Sequence, residues 1–325
     1  MIPTSEQIQA SVIIATHNRA NFIHETLGDL AAQKTAGFRF EILICDNAST
    51  DATKDIAAQF AKEAPVPVTY LYIAEKGKSY ALNEGIARAR GEYLFFTDDD
   101  TRLSSDWLSI LYQAFVSTGA DGIGGPIHPL WIGERPSWLS NKLLNQLGMV
   151  DHGPAPFFLK DKTKTFIGPN CAYKKSLYLR FGGYALDDTH EDVEWFLRAF
   201  RNKARLYYEP GACVRHKVEV SRLSLEYFEK RMYKHGRDIA RGAWEKKEPA
   251  LFGVPLWTIR IWFEIHVQAL FSHVRGDRDT ALWHWVRRNL YAGAIVHGFD
   301  LWRKKSPRRR VPPKIPTADA ATVHP

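Results

Sequence analysis

Short apolar runs alternate with helix-like patterns over the first hundred residues. Four continuous runs rich in β-branched or aromatic residues lie at 11–16, 40–45, 68–73 and 91–96. Between the first two runs, apolar residues such as Ile23, Leu27 and Leu30 recur every three or four positions. Continuous apolar runs are typical of strands buried in a parallel sheet, and the intervening pattern is typical of amphipathic helices. The order therefore predicts an α/β fold with a doubly wound, mostly parallel sheet flanked by helices.

The fourth run leads directly into three consecutive carboxylates, Asp98, Asp99 and Asp100. Adjacent acids repel one another and lose hydration on burial, so a fold has little structural reason to gather them. Mg2+ or Mn2+ supplies a reason, because hard cations prefer carboxylate oxygens, and open α/β sheets bind ligands at the carboxyl ends of their strands. We therefore predict a metal–pyrophosphate site here. The alternative is an acidic turn that caps the next helix.

The loops after the other strands carry polar side chains rather than glycine-rich cradles. No G-x-G-x-x-G follows the first strand and no G-x-x-x-x-G-K-[ST] occurs in the sequence, so the usual dinucleotide and P-loop sites are absent. Asn and Asp side chains can instead bind the edge of a base or the hydroxyls of a ribose. The candidates for nucleotide binding are Thr16, Asn18, Asp46, Asn47, Ser79 and Asn83. Each alone is more commonly a cap or turn residue, and Asp46 is favoured because it ends a buried strand at the same edge as Asp98.

Several of these segments carry a family resemblance. Ser-Val-Ile-Ile-Ala-Thr-His-Asn at 11–18, Asp-Asn-Ala-Ser-Thr-Asp at 46–51 and Phe-Thr-Asp-Asp-Asp at 96–100 resemble motifs of the family-two nucleotide-sugar glycosyltransferases of the GT-A fold. The likeness continues, in the right order, through Gly-Gly-Tyr at 182–184 and His-Glu-Asp-Val-Glu-Trp at 190–195. It implies an inverting transferase that uses a divalent metal and, most often, a uridine-diphosphate sugar. The Gln/Arg-x-x-Arg-Trp motif of processive members is absent, which favours the addition of one sugar at a time.

The resemblance also implies roles for single residues. Asp46 would hold the base, with Thr16 and Asn18 near the nucleotide. Asp98 and Asp100 would form the metal-binding D-x-D pair, with Asp99 between them beside the donor.

A second acidic pair, Glu191 and Asp192, precedes apolar residues at 193, 196, 197 and 200. This spacing predicts a helix that begins near residue 191, with both acids in its first turn. Acids there interact favourably with the helix dipole, so the local pattern leaves helix capping and catalysis equally open. By the resemblance, Asp192 is the base that deprotonates the acceptor, and Glu191 assists it.

His216 is predicted to close a strand at 212–215. A single histidine is usually a hydrogen-bonded polar residue, but imidazole also binds Mn2+. GT-A enzymes often place a third metal or phosphate ligand at this point of the chain, so His216 is a candidate for that ligand.

The charge of the 325-residue chain is unevenly distributed. Residues 1–227 contain two more acidic than basic residues, whereas residues 228–325 contain ten more basic than acidic ones. The C-terminal third is also rich in Trp, and its most apolar stretch, 257–271, is interrupted by charges and shorter than the ~20 residues that a membrane span needs. We predict that these residues attach the protein peripherally to anionic lipid. The alternative is a helical extension packed on the catalytic domain.

The cysteine content and the N-terminal sequence indicate the cellular compartment in which the protein is expected. Three cysteines are too few for a disulfide framework or a thiolate zinc site, and the N-terminus lacks a secretory signal pattern. We expect a cytoplasmic protein on the inner face of the plasma membrane. The basic segment is short and has no accompanying binding module, so no nucleic-acid partner is expected.

The leading hypothesis is a transferase that moves one sugar from a nucleotide donor to a saccharide or lipid-linked acceptor, in the synthesis of cell-surface polysaccharide. The predicted catalytic domain spans 1–222, and a helical region spans 223–325 with a disordered tail from about 306. One alternative is a sugar-nucleotide nucleotidyltransferase, which would need a glycine-rich basic signature that 12–19 lacks. The other is a non-catalytic sugar-nucleotide-binding scaffold, against which the intact acids at 98–100 and 191–192 count.

Overall fold

The structure is a computed structural model that describes residues 7–35, 37–186, 190–304 and 314–315. The chain divides into two compact units. The sheet unit comprises Met1–Leu130, Val150–Lys217 and Arg310–Pro325, and the helical unit comprises Trp131–Met149 and Val218–Arg309. The helical unit therefore includes a segment from the middle of the chain, whereas the sequence predicted one boundary after residue 222.

Two sheets account for the strands up to residue 218. These strands are β1 (Ala10–Thr16), β2 (Phe40–Asp46), β3 (Val68–Tyr72), β4 (Tyr93–Asp98), β5 (Thr101–Leu103), β6 (Gly122–Gly124), β7 (Ile127–Trp131), β8 (Phe157–Phe158), β9 (Cys171–Lys174), β10 (Leu206–Tyr208) and β11 (Val214–Val218). The main sheet has the order β3-β2-β1-β4-β9-β6-β10-β8, and a smaller one has the order β5-β11-β7. In the main sheet β3, β2, β1 and β4 are parallel, while β9 runs antiparallel to β4 and β6, and β8 antiparallel to β10. The predicted mostly parallel sheet is confirmed.

Helices connect these strands. They are α1 (Ile23–Ala31), α2 (Thr53–Glu63), α3 (Lys78–Arg88), α4 (Trp107–Thr118), α5 (Lys175–Phe181) and α6 (Glu191–Arg201). The helix predicted from about residue 191 thus begins at Glu191, and the alternation of strands with helices in the first hundred residues matches the prediction.

The central strands are buried on both faces. Ile13, Ile44 and Phe95 have no exposed surface, as continuous apolar runs in a parallel sheet require. The strand predicted at 40–45 extends by one residue to Asp46, and the one predicted at 68–73 ends at Tyr72. Tyr72 is 59% exposed, because β3 lies at the edge of the sheet and has a neighbour on one side only.

The helical unit contains α7 (Leu225–Glu245), α8 (Leu256–Val274) and α9 (Arg278–Lys304), with a hairpin of β12 (Ala250–Leu251) and β13 (Val254–Pro255) between α7 and α8. Helices α7 and α9 touch backbone to backbone. A Cβ on Gly236 would lie 2.3 Å from the nitrogen of Ala294, and one on Gly293 would lie 2.1 Å from the carbonyl oxygen of Tyr233. Real Cβ atoms do not approach so closely, so glycine at these two positions allows the helices to pack.

Helix α8 exposes an apolar stripe. Six apolar residues at helical spacing are each more than a third exposed, namely Leu256, Ile259, Phe263, Val267, Leu270 and Val274. Such spacing normally marks a face packed on a core. Within the described ranges, no helix combines the length and the apolar character that crossing a membrane requires.

The predicted disordered tail from about residue 306 lies almost wholly outside the described residues. Lys314 and Ile315 are described, and Ile315 is buried in the core of the sheet unit. Its side chain lies beside Gly183, so the chain returns to the sheet unit at this point.

Candidate functional site

The carboxyl ends of the three central parallel strands lie at one edge of the main sheet. In the register of β1 with β2, Thr16 pairs with Asp46, and in the register of β1 with β4, Ala15 pairs with Asp98. The side chains predicted at these strand ends are therefore neighbours, as the parallel arrangement requires.

Buried hydroxyl groups fix the turn that follows β4. The Thr101 hydroxyl donates to the carbonyl oxygen of Asp98 (2.8 Å). The single proton of the Thr26 hydroxyl is shared between the carbonyl oxygens of Asp99 (3.0 Å) and Thr101 (2.7 Å). Thr97 Oγ1 lies 2.8 Å from Thr101 Oγ1. These bonds fix the backbone of the turn that carries the three consecutive acids. They therefore hold the carboxyl groups close together although those groups repel one another.

Two of the three acids face a cation of the loop after β1. Arg19 Nε lies 3.6 Å from Asp99 Oδ1, and Arg19 Nη2 lies 3.7 Å from Asp100 Oδ2. Burial, and then the neighbouring charge of Asp100, raise the pKa of Asp99 to about 7. The turn therefore brings three carboxyl groups together with one facing guanidinium group, that of Arg19. Such an excess of acids over cations is suited to a cationic ligand.

His216 joins the acids from the smaller sheet. It lies in the middle of β11 opposite Thr101, so the prediction that it closes a strand at 212–215 is wrong, although it does reach the predicted place. His216 Nε2 lies 3.1 Å from Asp100 Oδ1, and one ligand atom each from Asp98, Asp100 and His216 lie within 4.8 Å of one another. The other ring nitrogen, Nδ1, is buried without a hydrogen-bond partner among the described residues. Two carboxylates and an imidazole form a donor set that fits Mn2+ and is compatible with Mg2+.

The second acidic pair meets the first around Gly168. Asp192 Oδ2 accepts a hydrogen bond from the backbone of Gly168 at 2.8 Å. A Cβ on Gly168 would lie 3.5 Å from Asp192 Oδ2, 3.5 Å from Lys78 Nζ and 3.8 Å from Asp98 Oδ1. We call Asp98, Asp99, Asp100, Glu191 and Asp192 the acidic edge. Its two halves, 90 residues apart in the sequence, thus line one cleft.

Lys78 and Arg19 are site residues that sequence reasoning missed, and Lys78 has the closer contact with the acids. Lys78 opens α3, and its ammonium group donates to Asp98 Oδ1 at 2.7 Å and lies 3.8 Å from Glu191 Oε1. Loss of hydration alone would lower the pKa of Lys78, but the carboxylates of Asp98, Glu191 and Asp192 outweigh that effect and raise it. The signal was a lysine between Gly77 and Ser79 in a loop that enters a helix, a pattern too common to single out.

Burial raises the pKa of Glu191, with a contribution from Asp192, while Lys78 opposes the shift. Burial therefore favours the protonated form of Glu191.

Most of the predicted nucleotide-binding residues already have local partners. Asp46 is fully buried, and its carboxylate accepts from the Tyr70 hydroxyl (2.7 Å) and the Ser49 backbone (2.9 Å). Asn47 Oδ1 accepts from the backbone of Gly77 at 2.7 Å, and Nδ2 donates to the carbonyl oxygen of Glu75 at 2.6 Å. Asn47 therefore fixes the loop that delivers Lys78.

The remaining predicted residues divide between loop and helix. Asn18 has a left-handed backbone (φ 52°), and its Oδ1 accepts from the backbone of Thr50 at 2.7 Å. Ser79 is buried in the first turn of α3. Both termini of the Asn83 amide are bound to Tyr184: Nδ2 donates to its carbonyl oxygen (2.9 Å), and Oδ1 accepts from its N–H (2.7 Å). Asn83 thus holds the Gly-Gly-Tyr segment against α3.

A family model and several known proteins match this chain. The model of the family described as Glycosyl transferase family 2 matches residues 11–181, which is more than half of the chain. The succinoglycan biosynthesis protein ExoM of Rhizobium meliloti is 24% identical over 247 residues, covering 74% of this chain and 77% of the relative. Glycosyltransferase AglE of Haloferax volcanii is 32% identical over 117 residues, which is 36% of this chain and 38% of the relative.

Two solved structures have the same fold. A mannosyltransferase of Pyrobaculum calidifontis, PcManGT, in complex with GDP-Man and Mn2+, superposes with a TM-score of 0.63 at 17% identity, covering 91% of this chain and 88% of that one. S. aureus TarS 1–349 in complex with UDP-GlcNAc superposes with a TM-score of 0.53 at 16% identity, covering 93% of each chain. The predicted GT-A fold is confirmed. The protein belongs to glycosyl transferase family 2 and is a glycosyltransferase.

Proposed function

We propose that this enzyme transfers a single sugar, with inversion, from a nucleoside-diphosphate sugar to a hydroxyl of a saccharide or lipid-linked acceptor. The observation that carries the proposal is the cleft in which Asp98, Lys78 and Asp192 approach one another around Gly168. A uridine-diphosphate sugar is the proposed donor, because TarS is bound to UDP and UDP-GlcNAc in two related structures. The name of ExoM supports a role in the synthesis of cell-surface polysaccharide.

Asp98, Asp100 and His216 are the proposed ligands of a divalent cation. Bound Mn2+ or Mg2+ would neutralise the charge that develops on the departing diphosphate. The closeness of their ligand atoms supports this assignment, as does the buried Nδ1 of His216, which has no hydrogen-bond partner among the described residues.

Asp192 is the proposed general base. Its Oδ2 is oriented by the Gly168 backbone, and its Oδ1 accepts from the N–H of Val193 at 2.8 Å, so the carboxylate is held in one position at the start of α6. From there it can take the proton of the acceptor hydroxyl as that oxygen attacks the anomeric carbon. In-line attack on an α-linked donor gives a β-linked product. Glu191 lies beside this carboxylate and is proposed to assist it in binding the acceptor or donor.

Lys78 is proposed to keep the cleft assembled before the substrates arrive. Its ammonium group lies between Asp98 and Glu191 and reduces the repulsion between the two halves of the acidic edge. Thr16, Asn18, Asp46, Asn47 and Ser79 surround the neighbouring strand ends, where we place the nucleoside. We assign Asn83 to the same region, although both ends of its amide bind Tyr184.

We also propose that the enzyme attaches peripherally to the inner face of the plasma membrane. The apolar stripe of α8 supports this, since contiguous exposed apolar surface marks an interaction site. Flotation with anionic vesicles tests it. We expect Phe263→Gln combined with Val274→Gln to abolish flotation, whereas Tyr72→Gln, at an aromatic residue of the sheet unit that is 59% exposed, should leave it unchanged. Flotation of the double variant at the wild-type level would contradict the proposal.

The proposed reaction is tested by release of nucleoside diphosphate from a panel of UDP- and GDP-sugars with Mn2+. We expect release by the wild type, loss of at least 100-fold for Asp98→Asn, and wild-type release for Asp161→Asn, which alters an exposed acid outside the proposed site. Release that survives Asp98→Asn would contradict the site. Formation of pyrophosphate from a sugar phosphate and a nucleoside triphosphate would instead indicate a nucleotidyltransferase, and binding without turnover would indicate a scaffold.

A further inference from the structure

A cavity of about 560 Å³ lies in the helical unit, between α8, α9 and the start of α7. Its apolar walls are formed by Leu225, Ile265, Ala269, Leu270, Ala281, Leu282 and Trp285. This volume is in the usual range for a binding site of a small organic ligand, and the predominance of aliphatic walls suits a hydrocarbon. None of the residues of the acidic edge contributes to it.

The cavity reaches the surface beside the apolar stripe of α8. Leu270 belongs to both, since it lines the cavity and is 64% exposed. An alkyl chain could therefore pass from an apolar surface into the cavity without crossing a polar barrier. Each buried methylene group contributes about 0.8 kcal/mol, so even a short chain would be retained.

The remaining lining is cationic or polar. It consists of Arg278, Arg288, His266, His273 and His284. Among the described residues, neither arginine forms an ion pair. The Arg288 guanidinium lies over the ring of Trp285, whose indole N–H donates to Glu229 at 3.0 Å. Glu229 is therefore bound to Trp285 rather than to Arg288, and the Arg288 guanidinium can bind an anion.

His284 provides an independent sign of a ligand. Its Nδ1 is buried and has no hydrogen-bond partner in the part of the chain that the structure describes. A buried polar atom without a partner is costly, and a phosphate oxygen in the cavity would satisfy it. Guanidinium groups bind phosphate oxygens strongly and with two parallel bonds.

We propose that this cavity binds one acyl chain of an anionic phospholipid, with Arg278 and Arg288 supplying the positive charge that attracts its headgroup. The inference rests on the proposed membrane attachment, because the bilayer under the apolar stripe is the source of the lipid. The apolar stripe alone would contact any lipid, whereas the cavity would select one lipid molecule by its acyl chain and its charge.

Calorimetric titration with a short-chain, monomeric phosphatidylglycerol tests the chain-binding part. Ala269→Phe fills the cavity, and we expect it to weaken binding by at least tenfold. Gln268→Phe changes the neighbouring residue, which is exposed and outside the cavity, and should bind as the wild type does. Ala281→Phe fills the cavity from α9 and serves as a second variant if the first one fails to fold. Equal affinity in a folded cavity variant would overturn the proposal.

Charge selectivity is tested with the same lipid bearing a phosphocholine headgroup. We expect weaker binding of that lipid, and a loss of about fivefold in affinity for phosphatidylglycerol with Arg278→Gln or Arg288→Gln. Arg275→Gln removes an exposed arginine outside the cavity and should have no effect. A preference of tenfold or more for farnesyl phosphate would overturn the assignment to a membrane phospholipid.

Flotation and donor hydrolysis, measured on the same variants, separate this proposal from those above. If the wild type floats with vesicles and hydrolyses donor while Ala269→Phe binds the short-chain lipid normally, the cavity proposal alone fails. If the lipid binds in a cavity-dependent way but the wild type does not float, the membrane attachment fails and the cavity site stands.

Discussion

The acidic edge of the sheet unit and the exposed face of α8 both contain side chains in unfavourable surroundings. The charged side chains of the edge have compensating partners within the protein, whereas the apolar side chains of α8 remain exposed to solvent. At the edge, partly buried charges are compensated by groups from distant segments: Asp98 by Lys78, and Asp192 by the Gly168 backbone. On α8, apolar side chains such as Phe263 and Val274 remain exposed, with 66% and 75% of their surface accessible. Both arrangements cost folding free energy in the isolated chain, and the proposed metal ion and the proposed membrane contact would each offset that cost.

The largest expected effect is on turnover, at the proposed general base Asp192. Asp192→Asn retains the size of the side chain and an oxygen for the Gly168 backbone, but cannot accept a proton from the acceptor. We expect kcat to fall by about 10²- to 10⁴-fold, with donor binding within twofold of the wild type. Steady-state turnover and a thermal-shift titration of the donor measure the two effects. A proportionate loss of donor affinity would show that Asp192 binds substrate rather than acting as a base.

Asn83 tests whether a polar residue near the edge belongs to the substrate or to the fold. Asn83→Ala leaves the N–H and the carbonyl group of Tyr184 without their partner, and both are buried. Each buried unsatisfied group costs about 1–3 kcal/mol. We therefore expect a lower Tm by circular dichroism.

The kinetic parameters of Asn83→Ala decide its role. An unchanged KM for the donor would assign Asn83 to the fold, whereas a raised KM at unchanged Tm would support its predicted place beside the nucleotide. Asn202→Ala is the control, because that amide makes one exposed bond, to the carbonyl oxygen of Arg198, and should change neither quantity.

The two regions also differ in what the sequence reveals about them. The strand ends at Thr16, Asp46 and Asp98 were predictable, because β-branched runs followed by polar residues place them at one edge of a parallel sheet. The meeting of Asp98 with Asp192 followed only from the family resemblance, since no local pattern links residues so far apart. Lys78 was missed because its partners are defined by the tertiary fold.

The sequence predicted that this unit is helical, but it did not predict which face of each helix is exposed. The apolar residues of α8 recur at the helical period whether they face a core or solvent, so the pattern of Leu256, Phe263 and Leu270 could not tell which face would be exposed. Likewise, Gly236 and Gly293 are ordinary helix-weakening residues in the sequence. Their role becomes visible only when α7 and α9 touch.

The contact between α7 and α9 offers a matched pair of substitutions on one helix. Gly236→Ala places a methyl group 2.3 Å from the backbone of Ala294, while Gly242→Ala meets nothing within 4 Å. We expect the first to destabilise the protein by about 1–3 kcal/mol and the second to stabilise it by up to about 1 kcal/mol. Equal shifts of Tm in the two variants would contradict the close packing of these helices.

The smallest expected effect concerns the ion pairs behind the acidic edge. Glu25 Oε1 accepts from the ammonium group of Lys217 at 2.8 Å, and Lys217 is 2% exposed. This bond, together with the charges of Lys217 and Arg102, lowers the pKa of Glu25. A carboxyl whose pKa is lower in the folded than in the unfolded state stabilises the fold above its unfolded pKa, and the stabilisation is lost as the pH falls through the folded value.

Glu25→Gln should therefore cost about 1 kcal/mol at pH 7, because the carboxylate is one-third exposed and partly screened. The difference from the wild type should narrow as the pH falls through the lowered pKa of Glu25, because the protonated wild-type carboxyl resembles the amide. Melting curves at pH 7 and pH 3.5 measure both values. Glu84→Gln, which breaks an exposed pair with Arg88 on α3, should give a small difference at either pH. A gap for Glu25→Gln that does not depend on pH would mean that Glu25 acts through packing, and that Lys217 does not need a charged partner to remain buried.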